Sequence, residues 1–282
     1  MEMDPPGKSF VLEHIFENAS SMRGYQTLIG PDTEHFGLQW NVMIQKAGTQ
    51  AIVFLRLECV QSDEAPRIDL SCQFSLISKN GISWSTEPDS MYGNAVIIIW
   101  STVFHDWNTV RNCLMVNGAI RMMVRVKIHK IEGIYQPNLR AFDVSMKQFS
   151  DTVLVVQDRE FYVLKQFLAL HSPFFNTLLL GEFVEAQQTR VTLNNIFACD
   201  FQKFLELLYG DWSIDEVTVE SLLSLADMYD TSIVRQKCQH FLVNTSQKAL
   251  ATKRRLADEY NLEELKAQCV REIETAAEQQ EQ

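Results

Sequence analysis

One continuous stretch, FSDTVLVVQDREFYVLKQFLALHSPFFNTLL at residues 149–179, constrains the fold of this chain more than any other. An apolar run at residues 153–156 and a polar turn at residues 157–160 lead into a second strand, and a helix follows. Ser172 followed by Pro173 then indicates the start of another helix, because serine is a common N-cap and proline is tolerated in the first helical turn. Two strands and two helices with almost no residues between them predict a compact interaction domain and not a catalytic cleft.

The length and composition of the chain predict two globular domains. Its 282 residues are enough for two units that each bury a core, and 46% hydrophobic and 22% charged residues predict no long disordered tract. The densest apolar run, residues 95–100, suits a buried strand and is far shorter than the roughly 18 residues of a membrane span. The N-terminus, MEMDPPGKSF, does not resemble a signal peptide, so we expect a cytoplasmic or nuclear protein without membrane association.

The charge distribution argues against a nucleic-acid partner. The formal net charge is −11, whereas phosphate contacts need clustered Lys and Arg. Residues 1–140 carry 12 basic and 14 acidic side chains, for a net charge of −2, and residues 141–282 carry 13 and 22, for −9. We therefore expect the second half to attract a basic partner surface.

Residues 8–134 are rich in alternating apolar and polar positions, the pattern of half-buried strands. The predicted strands are residues 9–16, 35–44, 51–60, 68–77, 95–100 and 119–131. Asn80-Gly81 is a hairpin signal, and the last strand has an apolar face that consists of Met122, Val124, Val126 and Ile128. Regular alternation between frequent turns predicts an antiparallel β-sandwich.

Several motifs in this half resemble the MATH (TRAF-like) domain. They are FxLxHxFxN at residues 10–18, HFGLQWNVMIQK at residues 35–46, CQFSLISKNG at residues 72–81, Tyr92-Gly93 and a closing strand that ends at Ile131. A polar stretch with Gly133 and Pro137 follows, which is where a domain boundary is expected. We therefore assign residues 8–133 to a MATH domain and residues 134–148 to a linker.

From residue 149 onward, strands and helices are mixed. The elements predicted after the opening stretch are a strand at residues 190–193 and amphipathic helices at residues 200–209, 218–229 and 233–243, with Gly210 as a C-cap. This order, with the segments Leu208-Tyr209-Gly210 and ADMY at residues 226–229, resembles the BTB (POZ) domain. Residues 247–275 then form two helices that break at Tyr260-Asn261, similar to the start of the helical extension in many BTB adaptors.

The two resemblances cover nearly the whole chain, and their order is similar to that of the nematode-type MATH–BTB family. The implied fold class is an α+β multidomain protein. An antiparallel β-sandwich (MATH/TRAF-like) is followed by an α/β BTB/POZ domain with a short helical C-terminal extension. The predicted boundaries are residues 149–245 for the BTB domain, 246–275 for the helical extension and 276–282 for a frayed tail.

The sequence carries no set of residues typical of catalysis. His105-Asp106 could be an acid–base pair, but neighbouring strand residues point to opposite faces, so loop polarity is favoured. GxSxG, P-loop and GxGxxG motifs are absent. Six cysteines without a CxxC pair predict buried thiols and neither a disulfide framework nor a metal site: Cys59, Cys72, Cys113, Cys199, Cys238 and Cys269. We expect no enzymatic activity, no metal and no cofactor.

The resemblance implies a non-catalytic adaptor of a cullin-RING ubiquitin ligase. Its MATH domain would bind a client protein, and its BTB domain would dimerise and dock on the cullin scaffold. Phe183-Val184-Glu185 matches the hydrophobic-x-Glu motif of BTB adaptors that bind cullins, so Phe183 and Glu185 are the predicted cullin-binding residues. Two alternatives stay open: Phe183 is simply a core residue, or the protein is an oligomeric scaffold or transcriptional co-regulator without cullin binding.

The resemblance also assigns a client groove, where an extended peptide would add to a sheet edge. Its predicted residues are Cys72, Trp84, Tyr92 and Gly93. Met91 and Asn94 stand where the family carries an acidic and an aromatic residue, so the familiar serine-rich peptide preference does not transfer, and the client remains unidentified. The alternative is that Tyr92 and Trp84 are ordinary sandwich residues.

The start of the second domain carries more apolar residues than a linker normally does. These are Leu139, Phe142 and Phe149. Because apolar residues at a domain edge suggest a covered surface, they predict the two-fold interface of a homodimer.

Overall fold

The structure is a computed structural model that describes residues 8–59, 67–78, 81, 83–88, 91–94, 97–181 and 188–280, with the backbone alone at residues 91–94, 132 and 276–280. The chain forms two compact units. The first spans residues 7–134 and the second contains residues 135–282.

The first unit consists of antiparallel strands and one short helix. The elements are β1 (Ser9–Phe16), β2 (Thr27–Ile29), β3 (Thr33–His35), β4 (Leu38–Ala47), β5 (Gln50–Glu58), β6 (Arg67–Ile77), β7 (Ser83–Thr86), β8 (Met91–Asn94), β9 (Ile97–Asp106), α1 (Trp107–Cys113) and β10 (Ile120–Glu132). Sheet 1 has the order β1-β10-β6-β7, and β8 also pairs with β6. Sheet 2 has the order β2-β4-β5-β9, and β3 also pairs with β4.

The two sheets bury alternate residues between them, as the sequence predicts for a sandwich. The predicted apolar face of β10 is buried, since Met122, Val124, Val126 and Ile128 are at most 2% exposed. The ring of Phe10 on β1 lies 5.0 Å from the ring of the fully buried Trp40 on β4, which joins the two sheets. The prediction of an antiparallel β-sandwich is confirmed.

One predicted strand is wrong in its detail. Residues 35–44 were expected to form a single strand, but Phe36 and Gly37 have φ values of 54° and 73° and form a tight turn between β3 and β4. Positive φ at both central residues is the geometry of a two-residue hairpin. Apolar alternation continues through this turn, so the pattern alone does not reveal it. The short strands β2, β7 and β8 and helix α1 were also not predicted.

The second unit combines a small mixed sheet with helices. The elements are β11 (Thr152–Val156), β12 (Arg159–Val163), α2 (Lys165–His171), α3 (Pro173–Leu180), β13 (Arg190–Leu193), α4 (Ala198–Leu208), α5 (Val219–Met228), α6 (Ser232–Asn244), α7 (Leu250–Glu259) and α8 (Glu263–Gln280). β11 pairs antiparallel with β12 and parallel with β13. A 3-10 helix, Val144–Phe149, precedes β11.

Several local predictions in this unit are confirmed. The Ser172 hydroxyl accepts a hydrogen bond from the Phe175 amide at 3.1 Å and so caps α3. Gly210 has a φ of 101° just after α4, and Asn261 has a φ of 52° at the break between α7 and α8. Helix α8 extends to Gln280, and the predicted fraying from residue 276 stays a prediction.

The cysteines form no disulfides. Cys59, Cys72, Cys238 and Cys269 are buried as predicted, whereas Cys113 is exposed and Cys199 is half-buried, so the prediction is wrong for these two. Within the described ranges no cluster of His, Cys, Asp and Glu could hold a metal ion. None of the helices in this part of the chain is long and apolar enough to cross a membrane.

Candidate functional site

One edge of each sheet in the first unit is a candidate surface for an extended peptide. In sheet 1 this edge consists of β7 and β8, which both pair with β6, and in sheet 2 it is β9, which pairs with β5. The ring of Trp84 on β7 lies 5.0 Å from the ring of His105 on β9, so the two edges adjoin. Backbone groups at a sheet edge can pair with a further strand.

The predicted groove residues lie in two places relative to these edges. Trp84 pairs with Leu76, and the backbones of Tyr92 and Gly93 pair with Asp69 and Ile68. These three predicted residues are therefore on the edge strands β7 and β8. Cys72, the fourth, is on the inner strand β6 and is 5% exposed.

Cys72 lies on the buried face of β6, together with Leu70 and Phe74. Burial, with a smaller contribution from the negative charge of Glu87, raises the pKa of the Cys72 thiol to about 12. The thiol is therefore neutral near pH 7 and fills space in the sandwich as a small apolar group.

The outer face of β9 is an additional candidate that the sequence pattern did not reveal. Ile97, Ile99 and Val103 are about half exposed, at 48%, 53% and 49%. The apolar run at residues 95–100 was interpreted as a buried strand. The structure shows a strand from Ile97, but at a sheet edge, where its alternate side chains face solvent. A continuous apolar run does not distinguish an edge strand from a central one.

Asp106 has a structural role at the end of β9. Its carboxylate accepts hydrogen bonds from the Asn108 amide at 3.2 Å and the Thr109 amide at 2.9 Å, and so caps α1. Hydrogen bonds from the Thr109 hydroxyl and backbone amide stabilise the ionised carboxylate and so lower the pKa of Asp106. Asp106 is therefore engaged as a helix cap, and His105-Asp106 does not have the arrangement of an acid–base pair.

The three residues predicted at the dimer interface differ in exposure. Leu139 and Phe149 are 57% and 60% exposed, whereas Phe142 is 2% exposed. The Phe142 ring lies 5.2 Å from the ring of Tyr209, inside the core of its own unit. Phe142 is therefore corrected to a core residue. Other apolar side chains at the surface of this unit include Val144, Leu164, Leu170, Phe174 and Leu180.

The predicted cullin-binding residues, Phe183 and Glu185, lie outside the described residues. The elements before and after them are described. α3 ends at Leu180, and β13 begins at Arg190 beside β11.

The helical extension is attached to the second unit through Glu216, in the turn before α5, and Glu220, in the first turn of α5. The Glu216 carboxylate accepts hydrogen bonds from the Ser246 hydroxyl at 2.8 Å and the Gln247 amide at 2.6 Å. Glu220 is 2% exposed and accepts a bond from the Arg255 guanidinium on α7 at 2.8 Å. A buried carboxylate needs such a partner, so the Glu220–Arg255 contact holds α7 on α5, and the Glu216 contacts hold the residues just before α7.

Comparison with known proteins agrees with this two-unit architecture. A family model described as MATH domain matches residues 16–128, and one described as BTB/POZ domain matches residues 142–246. BTB and MATH domain-containing protein 15 of Caenorhabditis elegans is 35% identical over 269 residues, which cover 95% of this chain and 98% of that protein. BTB and MATH domain-containing protein 45 of the same organism is 30% identical over 95% of this chain and 58% of its own length.

Part of the chain also matches proteins without a MATH domain in their names. Kelch repeat and BTB domain-containing protein 2 of Homo sapiens is 30% identical over 128 residues, which cover 45% of this chain and 20% of that protein. Neither matching family model describes a catalytic domain. The chain belongs to the family of BTB and MATH domain-containing proteins and combines two protein-interaction modules.

Proposed function

We propose that this protein is a non-catalytic substrate-recognition adaptor. Its MATH domain binds a client protein, and its BTB domain dimerises and docks on the cullin scaffold of a ubiquitin ligase. The observation that carries the proposal is the presence of both interaction domains in one chain, matched along nearly its full length by a relative with the same two domains. Holding a client beside the ligase raises their effective concentration, and a dimer adds avidity for clients with several sites.

The client is proposed to bind as an added strand at the adjoining edges of β7, β8 and β9. Backbone pairing supplies affinity in this mode, and side-chain pockets supply selectivity. Half-exposed apolar residues on β9 (Ile97, Ile99 and Val103) offer contacts for alternate side chains of such a strand. Trp84, half-buried beside His105, offers an aromatic contact at the same place.

Substitutions on β8 test the client edge. Gly93→Val is expected to abolish client capture, because a branched side chain is placed where a second backbone must approach closely. Tyr92→Ala is expected to weaken capture by about 1 kcal/mol, roughly fivefold, as for an aromatic contact of moderate strength. Proximity labelling in cells, with each variant compared with the unaltered protein, measures the clients retained.

The control for this experiment is Tyr25→Ala, because Tyr25 is an aromatic residue of the same unit that is 79% exposed. This variant is expected to keep the unaltered set of clients. If Gly93→Val and Tyr92→Ala also keep that set at normal expression levels, the client is bound elsewhere.

The homodimer is proposed to form through the exposed apolar residues near the start of the second unit. Leu139→Asp combined with Phe149→Asp is expected to convert the dimer to a monomer at micromolar concentration, since a buried apolar contact would become a buried charge. Light scattering on the full chain measures the mass. Val270→Asp, at a residue 53% exposed on α8, is the control. A monomeric unaltered protein, or a double variant that stays dimeric, would refute this interface.

The rival function is a BTB-mediated scaffold or transcriptional co-regulator without a cullin partner. The two functions differ in one measurable property, which is direct binding of a purified cullin N-terminal domain. Calorimetry with the purified full chain decides between them. Micromolar or tighter binding supports the ligase adaptor, and no detectable binding by a folded dimer supports the scaffold.

A further inference from the structure

The segment at residues 135–142, which follows the first unit in sequence, is bound along its length by side chains of α4. Gln202 donates to the Arg140 carbonyl at 2.7 Å, and the Glu206 carboxylate accepts from the backbone amides of Leu139 at 2.8 Å and Arg140 at 3.4 Å. Lys203 donates to the Pro137 carbonyl at 2.9 Å. Three side chains of one helix therefore bind four backbone groups of the segment.

These side chains form a buried charged network. Glu206 is 0% exposed and Lys203 is 3% exposed, and their charged groups are 3.0 Å apart. Gln202, also 0% exposed, donates to the same Glu206 carboxylate at 2.8 Å. A buried ion pair is tolerated only when its remaining hydrogen-bonding capacity is used, and here the backbone of the segment uses it.

Both ends of the segment are also anchored on the second unit. At its start, the Tyr135 hydroxyl donates to the Asp200 carboxylate on α4. In its middle, the Arg140 guanidinium contacts both carboxylate oxygens of Asp211 at 2.6 and 3.1 Å. At its end, Phe142 is buried in the core, and its carbonyl accepts from the Tyr162 amide at 2.7 Å.

We propose that Gln202, Lys203 and Glu206 form a polar clamp that makes residues 135–142 a fixed part of the BTB unit. Only residues 133–134 then separate the end of β10 from the clamped segment. The last strand of the first unit ends at Glu132, and Gly133 follows it with a φ of 83°, a backbone conformation that glycine adopts without strain. In this proposal the linker that the sequence predicts over residues 134–148 is much shorter. The proposal holds whatever partners the two domains bind.

Hydrogen exchange of the full-length protein tests the clamp. In the unaltered protein, the Leu139 and Arg140 amides are expected to exchange slowly, because both donate to a buried carboxylate. Glu206→Ala is expected to accelerate exchange in residues 135–142 at least tenfold. The rates in β11 and in the first unit are expected to stay unchanged. Mass spectrometry with fragments that cover residues 133–142 measures this.

A second variant addresses the buried lysine that Glu206→Ala leaves without its partner. Lys203→Met combined with Glu206→Met removes both charges, and such replacements of a buried pair are often neutral for stability. This double variant is expected to stay folded and still show at least tenfold faster exchange in the segment. If the segment stays protected in the folded double variant, the clamp does not hold it and the proposal is wrong.

Glu220→Ala is the matched control, since Glu220 is also a buried glutamate of the same unit with a basic partner. It is expected to accelerate exchange in α7 and to leave residues 135–142 protected. Equal acceleration of the segment by Glu206→Ala and Glu220→Ala would mean a general loosening of the unit and would overturn the assignment of the clamp.

Discussion

Replacing Phe183 with Ala and Glu185 with Lys together is expected to weaken cullin binding at least tenfold, about 1.4 kcal/mol. An apolar anchor at the centre of an interface typically contributes at least this much. The resemblance implies that the Glu185 carboxylate fixes the local backbone. Glu185→Lys replaces this carboxylate with a cation and so adds to the effect. The fold and the dimer are expected to persist, because both positions follow α3 and precede β13 in the sequence and so belong to neither element.

Calorimetric titration with a purified cullin N-terminal domain measures this loss. The matched control is Val270→Ala combined with Glu274→Lys, which makes the same kind of change at two exposed positions of α8. The control is expected to bind like the unaltered protein. A double variant at Phe183 and Glu185 that is folded, dimeric and bound with unchanged affinity would show that the motif does not contact the cullin.

Periodicity was sufficient to predict the main elements of both units. The alternation in residues 119–131 identified both the strand β10 and its buried face. Ser172-Pro173 identified the start of α3, because the cap uses the serine hydroxyl locally. Such predictions succeed because the spacing of apolar residues along a strand or an amphipathic helix matches the period of that element and so identifies its buried face.

Features that depend on contacts distant in sequence were not predictable in this way. Phe142 is apolar whether it faces a partner or its own core, and only its packing against Tyr209 distinguishes the two. The contact of Leu139 with Glu206 joins residues 67 positions apart, so no local pattern records it. For the same reason, Ile99 could not be assigned to an edge strand before the order of sheet 2 was known.

Phe201→Ala is expected to lower the free energy of unfolding of the second unit by about 3–5 kcal/mol, the usual cost of removing a buried phenylalanine side chain. Phe201 is 0% exposed on α4, and its ring lies 5.1 Å from that of Phe161 and 5.9 Å from that of Phe204. Truncation leaves a cavity that these neighbours cannot fill without moving. Trp212→Ala is the matched control, since Trp212 is an aromatic residue of the same unit that is 56% exposed, and its loss is expected to cost less than about 0.5 kcal/mol.

The effect is expected to be confined to one unit, because each unit buries its own core. Urea unfolding followed by hydrogen exchange should show an earlier transition for α4 and β11 in Phe201→Ala, with an unchanged transition for β4 and β10. Trp40→Ala, at a fully buried residue of the sandwich, is expected to give the reverse result. If either substitution shifts both transitions equally, the two units unfold together, and the separate assignment of client binding and cullin docking to them would lose its physical basis.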